Sequence, residues 1–223
     1  VNLFPGEKKF VFITNENHMK ETTIERKLLS LTPKAKIKSV PHRGLGPVDA
    51  VMLAEDLIND DEPVIVNYCD FFMRWDYKKF KSTVKKLDVD GAVICYKGFH
   101  PHLLGPDFYA GVKTDEDNML LRIKEKHSFT KDKMDTWQSA GTYYFKSGKI
   151  MKKYFTMAMK KKLLVNGEYY VSVVYNLLQK DGLKSLVYPV EYFCQWGTPN
   201  DLKTYQYWSS YFNQKLSDEK PIK

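Results

Sequence analysis

The run PVIVN at residues 63–67 constrains the fold of this chain more than any other segment. It is apolar at four consecutive positions and lacks the alternation of a strand with one wet face, so it suits a strand covered on both sides in a largely parallel sheet. Its end is abruptly polar, at Cys69 and Asp70. The same rhythm of short β-branched or aromatic runs separated by amphipathic stretches extends along the chain and predicts an α/β fold. Residues 9–14 (KFVFIT) read as a buried strand, 20–31 as a helix stopped by Pro33, and 35–40 as a strand ending at Pro41. Residues 46–60 read as a helix, with Val48, Val51, Met52, Ala54, Leu57 and Ile58 on its apolar side.

Past a helix at 77–86 and a strand at 91–96, three strand-like runs (108–113, 119–126 and 137–145) follow without helices between them, which predicts an antiparallel addition. Helices at 150–160 and 169–180 lead to strands at 183–188 and 192–196. Thr198 caps a last helix that opens on Pro199 and runs to about residue 212, before a charged tail expected to fray. No repeat or linker interrupts the 223 residues, which read as one domain.

With 43% hydrophobic residues and a mean hydropathy of -0.46 the chain is globular rather than disordered, and no run approaches the ~20 apolar residues of a membrane span. No leader pattern opens it. Cys69, Cys95 and Cys194 are odd in number and widely spaced, which predicts a reducing cytoplasm rather than a disulfide framework. The net charge of +8 favours polyanions, but no nucleic-acid-binding pattern accompanies it. The lysines around 146–162 read as the solvated face of a helix.

Asp70, at the end of the apolar strand, stands where open α/β sheets bind ligands. It reads either as a Mg²⁺ carboxylate or as a cap of the following turn. Arg43-Gly44-Leu45-Gly46-Pro47 is a turn that lets backbone approach a ligand, or simply a tight turn. Glu125 and Lys126 can orient hydroxyls and neutralise a phosphate, or form a surface ion pair. His100-Pro101-His102 lacks the partners of a zinc site, and no Ser/His/Asp or Cys/His set stands out.

Six segments, RGLGPVDAVMLAEDLI, PVIVNYCD, YAGVKTDEDNMLLRIKEK, SAGTYYF, NGEYYVSVVYNLL and WGTPNDLKTY, in that order resemble the sugar-phosphate nucleotidyltransferases over nearly the whole chain. They are most similar to the short single-domain type of bacterial surface-polysaccharide pathways, which is glucose-1-phosphate thymidylyltransferase-like or mannose-1-phosphate guanylyltransferase-like. The resemblance implies a Rossmann-like nucleotide-diphospho-sugar transferase fold: a mixed, mostly parallel sheet with helices on both faces and a small antiparallel addition. It implies transfer of a nucleoside monophosphate from a nucleoside triphosphate to a sugar 1-phosphate, releasing pyrophosphate, with Mg²⁺ as cofactor and no protein nucleophile. On the same match Gly46 lies against the base, Asp70 binds Mg²⁺, and Gly111 and Gly141 line the sugar pocket. Glu125 binds sugar hydroxyls, and Lys126 binds the sugar phosphate.

Three departures accompany the likeness. The family's first strand and glycine-rich phosphate loop have no counterpart after Val1, so several tens of residues are expected upstream. Gln195 stands where many relatives carry a second metal carboxylate, and Ser139 where many have Asn. These motivate the alternative of a degenerate domain that binds a nucleotide or nucleotide sugar without turnover. A homo-oligomer is also open, while core packing is the expected role of Tyr205, Tyr207, Trp208, Tyr211 and Phe212.

Overall fold

The computed structural model describes the backbone of residues 1–218 and the side chains to residue 214. Its strands are β1 (Val11–Asn15), β2 (Lys36–Val40), β3 (Val64–Asn67), β4 (Phe71–Arg74), β5 (Gly91–Tyr96), β6 (Gly111–Thr114), β7 (Leu120–Lys124), β8 (Trp137–Phe145), β9 (Ser185–Pro189) and β10 (Tyr192–Gln195). The helices are α1 (Glu16–Glu21), α2 (Ile24–Leu31), α3 (Pro47–Met52), α4 (Tyr77–Leu87), α5 (Gly148–Lys160), α6 (Val171–Lys180) and α7 (Pro199–Asp218).

Six strands form the main sheet, in the order β7-β6-β8-β5-β9 with β3 also against β8. Four of them, β3, β5, β6 and β9, run the same way, as expected, while β8 and β7 run against them. Because β8 lies centrally and reversed, β5–β9 is the one parallel ladder of this sheet. The antiparallel addition is β6, β7 and the first half of β8. β1 and β2 form a separate parallel pair, and β4 with β10 a separate antiparallel one.

β5 is buried at every position, and its side chains alternate between two cores. Val93 and Cys95 join Tyr143, Phe145 and the apolar sides of α5 and α6, including Met151, Phe155, Val174 and Tyr175. Ala92, Ile94 and Tyr96 join Tyr144 and the α4 residues Tyr77, Phe80 and Val84 on the other face. Helices thus cover both faces. Local chemistry fixes their ends: Asp76 accepts from the Lys79 N–H at 2.8 Å to start α4, and Ser147 accepts from the Ile150 N–H at 3.2 Å to start α5.

Four expectations are corrected. The helix expected at 20–31 is two, α1 and α2, broken at Thr22 and Thr23, where the Thr22 hydroxyl bonds the His18 carbonyl and caps Ile24 instead of letting the helix continue. The helix expected over 46–60 ends at Met52 and resumes only as a short 3-10 turn. β4 was not foreseen, because four residues joined to a helix carry too little pattern. The closing helix continues past 212 to Asp218, so residues 213–218 of the tail expected to fray are helical, and the rest of that tail, from 219 on, lies outside the described residues. Its Tyr205, Tyr207, Trp208, Tyr211 and Phe212, expected to pack in a core, point into solvent instead and are each 40–65% exposed.

The lysine-rich stretch behaves as a solvated face: Lys152 bonds Asp60 at 2.6 Å and Lys146 bonds Asp88 at 2.8 Å. In the core between α6 and the sheet, the fully buried Tyr175 donates to the carbonyls of Tyr144 (2.7 Å) and Ala92 (3.0 Å), tying α6 to β5 and β8. Tyr175→Phe is expected to lower the unfolding free energy by about 1–2 kcal/mol, or roughly 2–8 °C in Tm, measured by thermal denaturation.

Candidate functional site

The central strand β8 changes neighbours halfway along one of its edges. Its first residues pair with β6 and its last four with β3, while β5 follows it along the other edge. The change coincides with a bulge, since Cys95 stands opposite Ser139 but Ile94 opposite Thr142. Gly141 lies inside the bulge at φ 77°, a left-handed conformation that favours glycine. A side chain there would also meet Tyr68 at 3.1 Å and Phe71 at 3.2 Å. The Tyr68 N–H donates to the Gly141 carbonyl (3.0 Å) and the Ser139 N–H to the Ala110 carbonyl (2.9 Å), so the chain after β3 is seated in the fork.

Tyr68 leads directly to Asp70. The Asp70 carboxylate is exposed and has no ion pair among the described residues. Its backbone carbonyl accepts from the Trp196 N–H at 2.8 Å, and its Oδ2 lies 3.2 Å from where a Cβ of Gly197 would be. The β4–β10 pairing therefore brings 195–197 alongside Asp70. Gln195 is held there on both sides of its amide, with Nε2 donating to Asp201 at 2.9 Å and Oε1 facing the Tyr109 hydroxyl at 3.5 Å.

Glu125 and Lys126 follow β7 and diverge sharply. Glu125 is buried and accepts from the Ser172 hydroxyl at the start of α6, whereas Lys126, at φ 50°, turns outward with Nζ 5.8 Å from the Tyr170 ring centre. Burial raises the Glu125 carboxyl above its ordinary range, a shift opposed by Ser172 and by the Lys126 charge. The Tyr68 phenol is pushed up chiefly by burial, with Tyr143 and then Glu125 adding to it.

The Gly46 turn docks on the same stretch before α6. The Tyr169 N–H donates to the Leu45 carbonyl (2.8 Å), the Val48 N–H donates to the Tyr169 carbonyl (3.1 Å), and Gly46 sits at φ 86°. A Cβ on Gly46 would lie 2.9 Å from Glu168 Cβ and the Tyr169 nitrogen, so packing against its own chain requires glycine here. Gly111 is similar: a Cβ would fall 2.1 Å from the His127 carbonyl oxygen. That side of Gly111 is filled by backbone.

The structure thus gathers Gly46, Glu125 and Lys126 around residues 168–172, and Asp70 and Gly141 around Tyr68. Reading the sequence missed Tyr68, Tyr109, Tyr170, Ser172 and the buried Asp49, which Arg43 meets at 3.4 Å. Ser172 and Tyr170 lie inside a recognised segment, but nothing local distinguishes a hydroxyl facing a distant carboxylate from one facing solvent. His102 is buried with Nε2 2.8 Å from the Tyr96 hydroxyl, and burial lowers its pKa to about 4, leaving it neutral at neutral pH. Among the described residues no three His, Cys, Asp or Glu gather as a metal site, and no helix is long and apolar enough to cross a membrane.

Because the folded state raises the Glu125 pKa, it binds the proton more tightly than the unfolded chain does. The resulting destabilisation is absent below the unfolded value of about 4.3 and grows as pH rises toward the native pKa. Glu125→Gln is therefore expected to gain stability relative to wild type as pH increases from about 4 to 7. A stability difference independent of pH in denaturant titrations would contradict this.

The sequence profile of the nucleotidyl transferase family matches residues 3–180. Among solved structures, the chain is similar to a nucleoside-diphosphate-sugar pyrophosphorylase from Vibrio cholerae RC9, with a TM-score of 0.70 and 17% identity over 92% of this chain and 82% of that one. It is also similar to the inositol-1-phosphate CTP transferase from T. maritima, with a TM-score of 0.65 and 16% identity over 90% and 76% of the two chains. At these identities the likeness speaks for the fold. No curated protein matches the chain. The family match, which spans most of the sequence and includes Gly46, Asp70, Glu125, Lys126 and Gly141, shows that the chain belongs to the nucleotidyl transferase family.

Proposed function

We propose that the protein transfers a nucleoside monophosphate from a nucleoside triphosphate to a sugar 1-phosphate, giving a nucleotide sugar and pyrophosphate. The observation that carries this reading is the contrast within one dipeptide. Glu125 is buried and acceptor-rich, Lys126 beside it is outward and cationic, and both stand by the start of α6. A buried carboxylate facing a hydroxyl is suited to accepting from sugar hydroxyls, and an exposed ammonium to a phosphate. The two structural relatives, a nucleoside-diphosphate-sugar pyrophosphorylase and an inositol-1-phosphate CTP transferase, support the same class of acceptor.

In this reading a phosphate oxygen of the sugar 1-phosphate attacks the α-phosphorus of the triphosphate, the new P–O bond forms, and the bond to the β-phosphate breaks to release pyrophosphate. No side chain becomes covalently attached. Lys126 holds the attacking phosphate and offsets its charge, while Glu125 and Ser172 fix the sugar that carries it. The exposed, unpaired Asp70 carboxylate fits Mg²⁺, which takes oxygen ligands and commonly only one or two carboxylates beside substrate phosphates. When bound, the ion would neutralise charge on the triphosphate.

Gln195 favours a second reading, a binding domain without turnover. The segment that runs alongside Asp70 carries this amide rather than a carboxylate, and both ends of the amide are engaged by Asp201 and Tyr109. Pyrophosphate release by the full-length protein, with a panel of nucleoside triphosphates and sugar 1-phosphates in Mg²⁺, separates the two. Turnover is expected, with Asp70→Asn lowering kcat by about a thousandfold or more. Lys126→Ala is expected to weaken use of the sugar phosphate by roughly 10- to 100-fold, mainly in its KM. Nucleotide binding by calorimetry without any turnover would establish the second reading; full activity in Asp70→Asn would remove that residue from the site.

A further inference from the structure

Lys126 stands just past β7 on a left-handed backbone, at φ 50°, and its side chain is exposed. Among the described residues its ammonium has no carboxylate within ion-pair distance. The adjacent Glu125 turns inward to the Ser172 hydroxyl. What the ammonium meets instead is a ring face, with Nζ 5.8 Å from the ring centre of Tyr170.

Tyr170 is itself held in place. Its phenol donates to Glu168 Oε2 at 2.5 Å. Glu168 is pinned by the turn at Asn166-Gly167, across which its N–H donates to the Val165 carbonyl (3.1 Å) and its carbonyl accepts from the Val165 N–H (2.9 Å). Burial, and then the bond to Glu168, push the Tyr170 phenol up, so it remains a neutral donor at neutral pH. The position is also an unusual one for tyrosine. Tyr170 is the residue that precedes the first turn of α6, a place that favours Ser, Thr, Asp or Asn, yet its side chain caps nothing. A local choice that gives up a helix cap is the kind of conflict that collects at functional positions.

We infer that Tyr170 is a positioning residue for the acceptor phosphate: its ring face holds the Lys126 ammonium where the sugar 1-phosphate meets it, and Glu168 holds the ring. The inference rests on the reaction proposed above, in which Lys126 takes that phosphate. A lysine head on a flexible four-carbon stem loses much rotamer freedom when it binds, so a partner that fixes it beforehand lowers the cost of binding. A carboxylate would fix it, but would also offset its charge and compete with the phosphate for the same N–H donors. A ring face attracts the cation through its quadrupole and leaves the positive charge and the N–H donors on its far side for an anion. Glu168 adds to this attraction, because a phenol that donates to a carboxylate has a more electron-rich ring. An aromatic residue anchored by an acid thus preorganises a phosphate-binding lysine without neutralising it.

Pyrophosphate release by the full-length protein, with the sugar 1-phosphate of the panel above that turns over fastest, tests it. Tyr170→Leu is expected to raise the KM for the sugar phosphate by about 2- to 5-fold, with kcat and the KM for the nucleoside triphosphate unchanged. Tyr170→Trp keeps a ring for the ammonium and is expected to leave that KM within about twofold of wild type. Glu168→Ala frees the phenol without touching the ring, and is expected to raise the same KM by a smaller factor than Tyr170→Leu. In a Lys126→Ala background Tyr170→Leu is expected to add nothing, since the ring then has no cation to hold. A packing role alone predicts a different pattern: both KM values rise together, because the same stretch seats the Gly46 turn, and the effect persists without Lys126. That pattern overturns the inference, as does a wild-type KM in Tyr170→Leu and Glu168→Ala while Lys126→Ala weakens use of the sugar phosphate; either leaves the reaction standing. A wild-type KM for the sugar phosphate in Lys126→Ala overturns the placement of that phosphate and this inference with it.

Discussion

The bulge of β8 at Gly141 is the constraint on which the candidate site depends. A nine-residue central strand that kept its register would hold one neighbour along that edge from end to end. The left-handed glycine breaks the ladder between Ser139 and Thr142, and the strand takes β6 on one side of the break and β3 on the other. Tyr68 fills the fork, and its ring and that of Phe71 occupy the space where any side chain at 141 would stand. The chain then turns to present Asp70. Positions at which a strand changes partners recur as binding crevices in α/β proteins, because the diverging backbones leave a gap that side chains can line.

The second organising element is the short stretch 168–172. By backbone hydrogen bonds it fixes the Gly46 turn, by a ring face it neighbours Lys126, and by a buried hydroxyl it meets Glu125. Two segments far apart in sequence are thus indexed to the start of one helix. The arrangement holds Glu125 under strain, since burial disfavours its charge and Ser172 only partly compensates. A desolvated carboxylate kept in a fold despite its cost is a common mark of a functional position.

Much of the frame was legible in the sequence because its signal is local. The apolar runs of β5 and β3 and the Thr198-Pro199 helix start each depend on a few adjacent residues, and the structure places elements there within one position of the expected start. The failures also have local causes. Thr22 and Thr23 interrupt a stretch whose apolar spacing alone reads as continuous helix, because their hydroxyls compete for backbone partners. β4 is too short to announce itself. The α7 aromatics read as core residues because a 3–4 spacing of large apolar side chains shows which face is to be covered but not what covers it.

What the sequence determined by itself is the family, the α/β class and the chemical types at the site: one carboxylate after the PVIVN strand and an acid–base pair after β7. These are properties of residue order. Tertiary structure decided which groups stand together and in what state. It buried Glu125 against Ser172 while leaving Lys126 exposed, seated Tyr68 against Gly141 in the fork, and set Gln195 between Asp201 and Tyr109. It also gave Gly46 and Gly111 a packing reason for being glycine, through contacts with residues 168–169 and 127. Burial and contact across a hundred residues come from how the sheet is ordered, and a linear pattern contains no distance between segments that only folding brings together.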